Sequence, residues 1–273
     1  LSPAPSPDVR SVARWLGALA AAGVGTLALG ALSPLLPLPV HAAAWAAVAS
    51  FAIAFAWVSA EVLAVAALVP ALAPRHAWLP VLLAAPLVAL GVAAPSPSLG
   101  ATALVAMLLC GAGTAAGAMV GARVQHAGHL GVVAYVSSIA DLTSVFHESG
   151  PSAQILESAP TLAVLAVGAP MPGTADVSPI LGVGDVVFVG LYLAACRAHG
   201  LARSRTLLAL AVALGLTFVV LVALARPVPA LPMLGLAIVL AHPQTRWPPA
   251  SERKQALLGM FAVTALAAWA WLR

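Results

Sequence analysis

The chain has 273 residues, of which 62% are hydrophobic and 7% charged, and its mean hydropathy is +1.05. That balance excludes an ordinary soluble domain and predicts an integral, multi-pass membrane protein. The formal charge of +4, from 12 Lys+Arg against 8 Asp+Glu, is no sign of a nucleic-acid partner, because the basic residues stand scattered in loops, where they act as topology signals.

The opening stretch LSPAPSPD reads as a low-complexity leader without chemistry. The chain begins at Leu1 with neither an initiator methionine nor a cleavable signal pattern, as expected where a leader is missing. Cutting the sequence at its Pro, Arg, His and Ser clusters predicts nine spans, since a crossing of a ~30 Å hydrocarbon core takes about 20 apolar residues. They cover 12–36, 42–71, 77–95, 99–122, 127–147, 180–199, 206–226, 228–242 and 255–272. The expected fold class is an all-α polytopic membrane protein. Its regions are an N-terminal helical scaffold of about four spans (1–122), a region that carries the Asp141 and Asp185 spans and the PAL segment (123–242), and a C-terminal span (243–273).

The second span carries Glu61, a candidate third functional acid that reads rather as a protonated or hydrogen-bonded structural residue, because no motif accompanies it. In the fourth, Gly113, Gly117 and Gly121 recur every four residues, a ridge of small residues that lets a neighbouring helix pack closely. His126 and His129 follow in an HxxH pattern without a third ligand nearby and read as interfacial polar residues. Of the tryptophans, Trp15, Trp78 and Trp247 suit interface anchoring, whereas Trp57 suits anchoring or packing inside the bundle. Cys110 and Cys196 lack CxxC or metal-ligand spacing and read as small buried hydrophobes.

Two further acids lie inside spans. Asp141 stands about six residues before the end of the fifth span and Asp185 about five residues into the sixth, roughly 9 and 8 Å deep at ~1.5 Å per residue. On consecutive antiparallel spans the two carboxylates are level. An ionised carboxylate at the bilayer centre costs at least ~2.5 kcal/mol, so each is a functional candidate. Two carboxyls sharing a site hold one proton between them, which lets one activate a water while the other polarises a carbonyl. No GxSxG, no HExxH and no reactive-looking cysteine supports another hydrolytic route. Gly182 and Gly184, in LGVGD, remove side chains beside Asp185. The 148–179 connection is broken by Pro and Gly, and its APTLAVLAVGAP suits a re-entrant or surface-lying piece able to gate the site. Glu148, Glu157 and Asp176 read as solvated loop acids. RPVPALPMLG then opens the eighth span with Pro227, Pro229 and Pro232, which interrupt regular helix and free backbone groups.

In this order, Asp141, Gly182–Asp185 (GVGD) and Pro229–Leu231 (PAL) resemble the YD, GxGD and PAL motifs of the presenilin and signal peptide peptidase aspartyl proteases. The resemblance covers roughly residues 127–242; before it the chain is only generically hydrophobic. It implies a presenilin-like fold with Asp141 and Asp185 as the catalytic dyad. Gly182 and Gly184 would shape the approach, and Pro229, Ala230 and Leu231 would line the substrate path. It also implies transmembrane helical peptides as substrates, with a substrate strand pairing near 148–179, water as co-substrate, no metal or organic cofactor, and no obligatory protein partner. Two departures stand out. Ala140 replaces the Tyr of YD, leaving Ser137 or Ser138 to supply its hydroxyl contact, and the first aspartate falls on the fifth span rather than a sixth.

A cytoplasmic N-terminus puts Arg10, Arg14, Arg75, Arg123, Arg197, Arg203, Arg205, Arg246, Arg253 and Lys254 on one face and only Arg226 and Arg273 on the other. That orientation matches the signal peptide peptidase branch, while the wording of the motifs is closer to presenilin. One Lys against eleven Arg in an Ala-rich chain fits a prokaryotic cell membrane. Two rival readings are an ion- or proton-coupled transporter using Asp141, Asp185 and Glu61, weakened by the lack of paired broken helices, and a non-catalytic membrane scaffold.

Overall fold

The computed structural model describes residues 9–36, 38–40, 43–70, 80, 82–84, 86 and 98–272. The elements run α1 (Val9–Leu32), α2 (Ala44–Leu68), α3 (Leu99–Gly121), α4 (His129–Phe146), α5 (Pro151–Glu157), α6 (Ala159–Leu165), β1 (Ala166–Pro170), β2 (Val177–Gly182), α7 (Val183–Ala198), α8 (Arg203–Leu224), α9 (Leu231–Ala241) and α10 (Arg253–Trp271). Single 3-10 turns follow α1 and α9. Among the described residues five helices are long and apolar enough to cross a membrane: α1 with its 3-10 turn, α2, α3, α4 and α8. The protein is therefore largely helical and of multi-pass membrane type. The leader stretch and most of the expected 77–95 span, with Trp78, lie outside the described residues.

The chain divides into two units, Leu1–Met119 with Ala159–Leu191, and Val120–Ser158 with Tyr192–Arg273. In the first, α1 and α2 pack closely at Gly25, where a Cβ would lie 2.6 Å from the Trp57 ring. Beside that contact the Thr26 hydroxyl donates to Glu61 Oε1 at 3.2 Å, so the mid-span acid ties two helices together. On α2, Ala54, Val58, Val62 and Val65 form one buried stripe at helical spacing. The glycine ridge of α3 receives α7. A Cβ on Gly113 would stand 2.8 Å from Val186 Cγ1, one on Gly117 would overlap the Val187 carbonyl, and one on Gly190 would come within 2.7 Å of the Thr114 carbonyl. Glycines on both helices thus let the backbones meet.

The expectation for the 148–179 connection needs correcting. Strands β1 and β2 form an antiparallel hairpin packed on α1 and α2, and every residue of β1 is buried. The apolar run is therefore a short helix followed by a buried strand, not a surface-lying piece. Gly168 pairs with Pro179 and Val167 with Leu181, leaving a bulge at Ile180. In the turn the Met171 amide donates to the Asp176 carbonyl at 2.9 Å, and Gly173, at φ +85°, donates its own amide to the Ser33 carbonyl at 2.8 Å. The sixth span was expected to be helical from Ile180; helix begins at Val183 instead, because Val177–Gly182 pairs with β1. Trp15, expected at the interface, is 1% exposed.

In the second unit α9 packs on α4 and α8, and α10 packs on α4. A Cβ on Gly235 would lie 2.8 Å from that of Ala134, which sets the close approach of α9 to α4. Thr206 and His242 share a buried hydrogen bond of 2.9 Å between α8 and the end of α9. Helix α10 is tied to α4 by Tyr135–Thr264 at 2.7 Å, and Glu252, just before α10, pairs with His129 at 2.6 Å. Cys110 and Cys196 are both buried, and Glu148, Glu157 and Asp176 are exposed, as read from the sequence.

Candidate active site

Asp141 lies on α4, five residues before its last residue, Phe146. Its partner comes from a stretch distant in sequence. RPVPALP cannot continue a helix at Pro227 or Pro229, so α9 starts afresh at Leu231, with Pro232 in its first turn. The first-turn amides of a helix have no internal acceptor, and the residue at the capping position, Ala230, has no side-chain oxygen to offer. Asp141 fills that role from another helix: the Leu231 N–H donates to its Oδ2 at 3.0 Å. The Ala230 amide adds a second, smaller interaction. Pro229, Ala230 and Leu231 are buried and Asp141 is half-buried, so one carboxylate oxygen is fixed in place. The structure thereby joins the first aspartate of the sequence reading to its PAL segment.

Ser137 and Ser138 both donate to the Ala134 carbonyl, at 3.2 and 2.6 Å, because a Ser inside a helix reaches back to the preceding turn. Near the end of α4, the Arg226 guanidinium stacks 5.3 Å from the centre of the Phe146 ring.

Asp185 lies in the first turn of α7, directly after β2 ends at Gly182. It is half-buried, with Gly182 and Gly184 exposed beside it. Among the described residues, a Cβ on Gly184 would meet nothing within 4 Å, and one on Gly182 would touch only Asp185 Oδ2, at 3.5 Å. These two glycines therefore do not serve helix packing, which on α7 falls to Val186, Val187 and Gly190; they leave the carboxylate side of the first turn open. Gly182, Gly184 and Asp185 belong to the first unit, and Asp141, Pro229, Ala230 and Leu231 to the second.

Three features lay beyond the sequence reading: the Leu231 amide, the strand leading into Asp185, and the Thr26 partner of Glu61. A backbone donor leaves no mark in sequence, although the proline-broken start of α9 with no capping side chain signals amides in need of an acceptor. Among the described residues no group of three or more His, Cys, Asp or Glu is placed to hold a metal ion. No family model matches the chain, and neither a curated protein nor a solved structure matches it.

Proposed function

We propose that the chain is an intramembrane aspartyl endopeptidase of the presenilin and signal peptide peptidase kind, built on about nine spans. It hydrolyses peptide bonds within transmembrane segments of membrane proteins or signal-peptide remnants. The observation that carries the reading is the 3.0 Å bond from Leu231 N–H to Asp141 Oδ2. A mid-span acid and a PAL sequence that resemble two separate motifs of one family are direct neighbours in the fold, 90 residues apart in the chain.

In this proposal Asp141 and Asp185 share one proton. The ionised member takes a proton from a water as its oxygen attacks the scissile carbonyl, and the protonated member gives its proton to the carbonyl oxygen, forming a neutral gem-diol. The carboxyl that took the water proton then passes it to the amide nitrogen. As the C–N bond breaks, the gem-diol yields a hydroxyl proton to the other carboxylate, leaving a carboxylic acid and an amine. Open space beside Gly182 and Gly184 leaves room for an extended substrate backbone. The Asp141 oxygen held by Leu231 leaves its other oxygen for water. A cytoplasmic N-terminus in a prokaryotic cell membrane completes the proposal, and with it substrates whose own N-terminus is cytoplasmic.

The test is cleavage of a transmembrane reporter peptide by purified protein in detergent. The parent chain is expected to cut, and Asp141→Ala and Asp185→Ala each to lose at least about a thousandfold, as for loss of a group central to hydrolysis. Equal cutting by the parent and either variant would refute the dyad.

A further inference from the structure

A groove in the second unit, at the start of α4 and nine residues before Asp141, has the make-up of a lipid site. It is lined by Val132, Arg246, Trp247, Arg253, Leu257 and Met260. Two glycines on the approach to α4 and in its first turn shape it. A Cβ on Gly128 would overlap the Trp247 carbonyl, and one on Gly131 would lie 2.5 Å from the Thr245 carbonyl, so the 245–248 segment lies against the start of α4. Its cations are held from behind: Arg246 Nε donates to the Val239 carbonyl at 3.4 Å, and Arg253 Nε to the Pro248 carbonyl at 3.2 Å. Neither guanidinium has a carboxylate partner among the described residues, because the one acid alongside, Glu252, is engaged by His129. Four of the five N–H donors on each arginine thus remain for a ligand. Lys254 adds a third exposed cation next in the chain.

The rest of the groove is apolar and continues onto α10, which has no buried residue and exposes Leu257, Leu258, Phe261 and Leu266. Trp247, 56% exposed, suits the boundary between headgroups and acyl chains. Two unpaired guanidiniums at the end of a helix with exposed apolar residues match a phosphate headgroup with hydrocarbon attached, and basic pockets between helices bind such headgroups. We propose that this groove binds an anionic diacyl phospholipid, its phosphate between Arg246 and Arg253 and its chains along α10. The proposal is independent of the peptidase reading.

The experiment is native mass spectrometry of the full chain in mild detergent supplemented with equal amounts of phosphatidylglycerol and phosphatidylcholine. The expected result is retention of the anionic lipid about 25-fold over the zwitterionic one, since each of the two arginines near a headgroup is worth about a factor of five. That preference should fall to near unity in Arg246→Gln/Arg253→Gln and persist in Arg205→Gln, which removes a charge elsewhere. It should also decline with salt in the parent chain, a readout that needs no variant. Equal retention of both lipids by the parent overturns the proposal, as does an undiminished preference in a folded double variant. Displacement of the lipid by millimolar inorganic phosphate does so too, assigning the groove to a free anion.

Discussion

Asp141 does two jobs that a substitution series separates. As acceptor for the Leu231 amide it caps α9 from outside, and as a carboxylate it is the proposed acid or base. Asn keeps an oxygen acceptor without the titrating group, so Asp141→Asn is expected to lose cleavage while staying within about 0.5 kcal/mol of the parent in a denaturant titration. Asp141→Ala, which also orphans the amide, is expected to lose a further ~1 kcal/mol. Equal stability of the two would mean the cap contributes nothing. Glu61 gives the contrasting case: its bond to Thr26 survives in Glu61→Gln, so cleavage and stability are both expected to persist. Loss of cleavage in that variant would make Glu61 a third functional acid. Both aspartates were legible in the sequence because charge in an apolar span is costly. The acceptor role of Asp141 was not, since its donor is a main-chain amide whose identity depends on where α9 restarts.

Among the elements, α7 owes its position to glycines rather than to side-chain interdigitation. Gly117→Val is expected to cost about 1–3 kcal/mol, because its Cβ has no room beside the Val187 carbonyl. Gly184→Ala, with open space around its Cβ, should leave stability within about 0.5 kcal/mol and act, if at all, on turnover. A comparable loss in both would show that Gly184 also packs. At the end of α8, Ala225 sits at φ 49°, a left-handed conformation that costs a residue with a Cβ about 1 kcal/mol, so Ala225→Gly is expected to stabilise by about that amount in the same titration. Helices were legible from hydropathy and punctuation: 99–122 became Leu99–Gly121 and 206–226 became Arg203–Leu224. The hairpin was not. Ala166–Pro170 lacks polar alternation because β1 is wholly buried, and Pro170 and Pro179 look like breakers although each occupies a ladder position.

For the molecule as a whole, the proposed topology is a statement about sides. Single cysteines replacing Arg203 and Arg226, which bracket the 22-residue helix α8, should react with a membrane-impermeant thiol reagent from opposite sides of sealed vesicles. Reaction from one side would overturn the orientation and the span count. The native cysteines give little background, since Cys110 and Cys196 are at most 1% exposed. The expected sidedness rests on the charge partition, because arginines are costly to translocate. The separation of the chain into two interleaved units, each built from non-contiguous segments, left no compositional boundary to find.

The passage from β2 to α7 has no linker: Gly182 is the last strand residue and Val183 the first helical one. Hairpin register and the reach of Asp185 are consequently geared to each other. A slip of one residue along β1 would carry the start of α7 by about 3.3 Å and turn each β2 side chain to the opposite face of the ribbon. The bulge at Ile180 marks where the ladder skips a residue, three positions before the helix begins. The hairpin register and the glycine-seated body of α7 therefore have to agree with each other, and together they fix the position of Asp185.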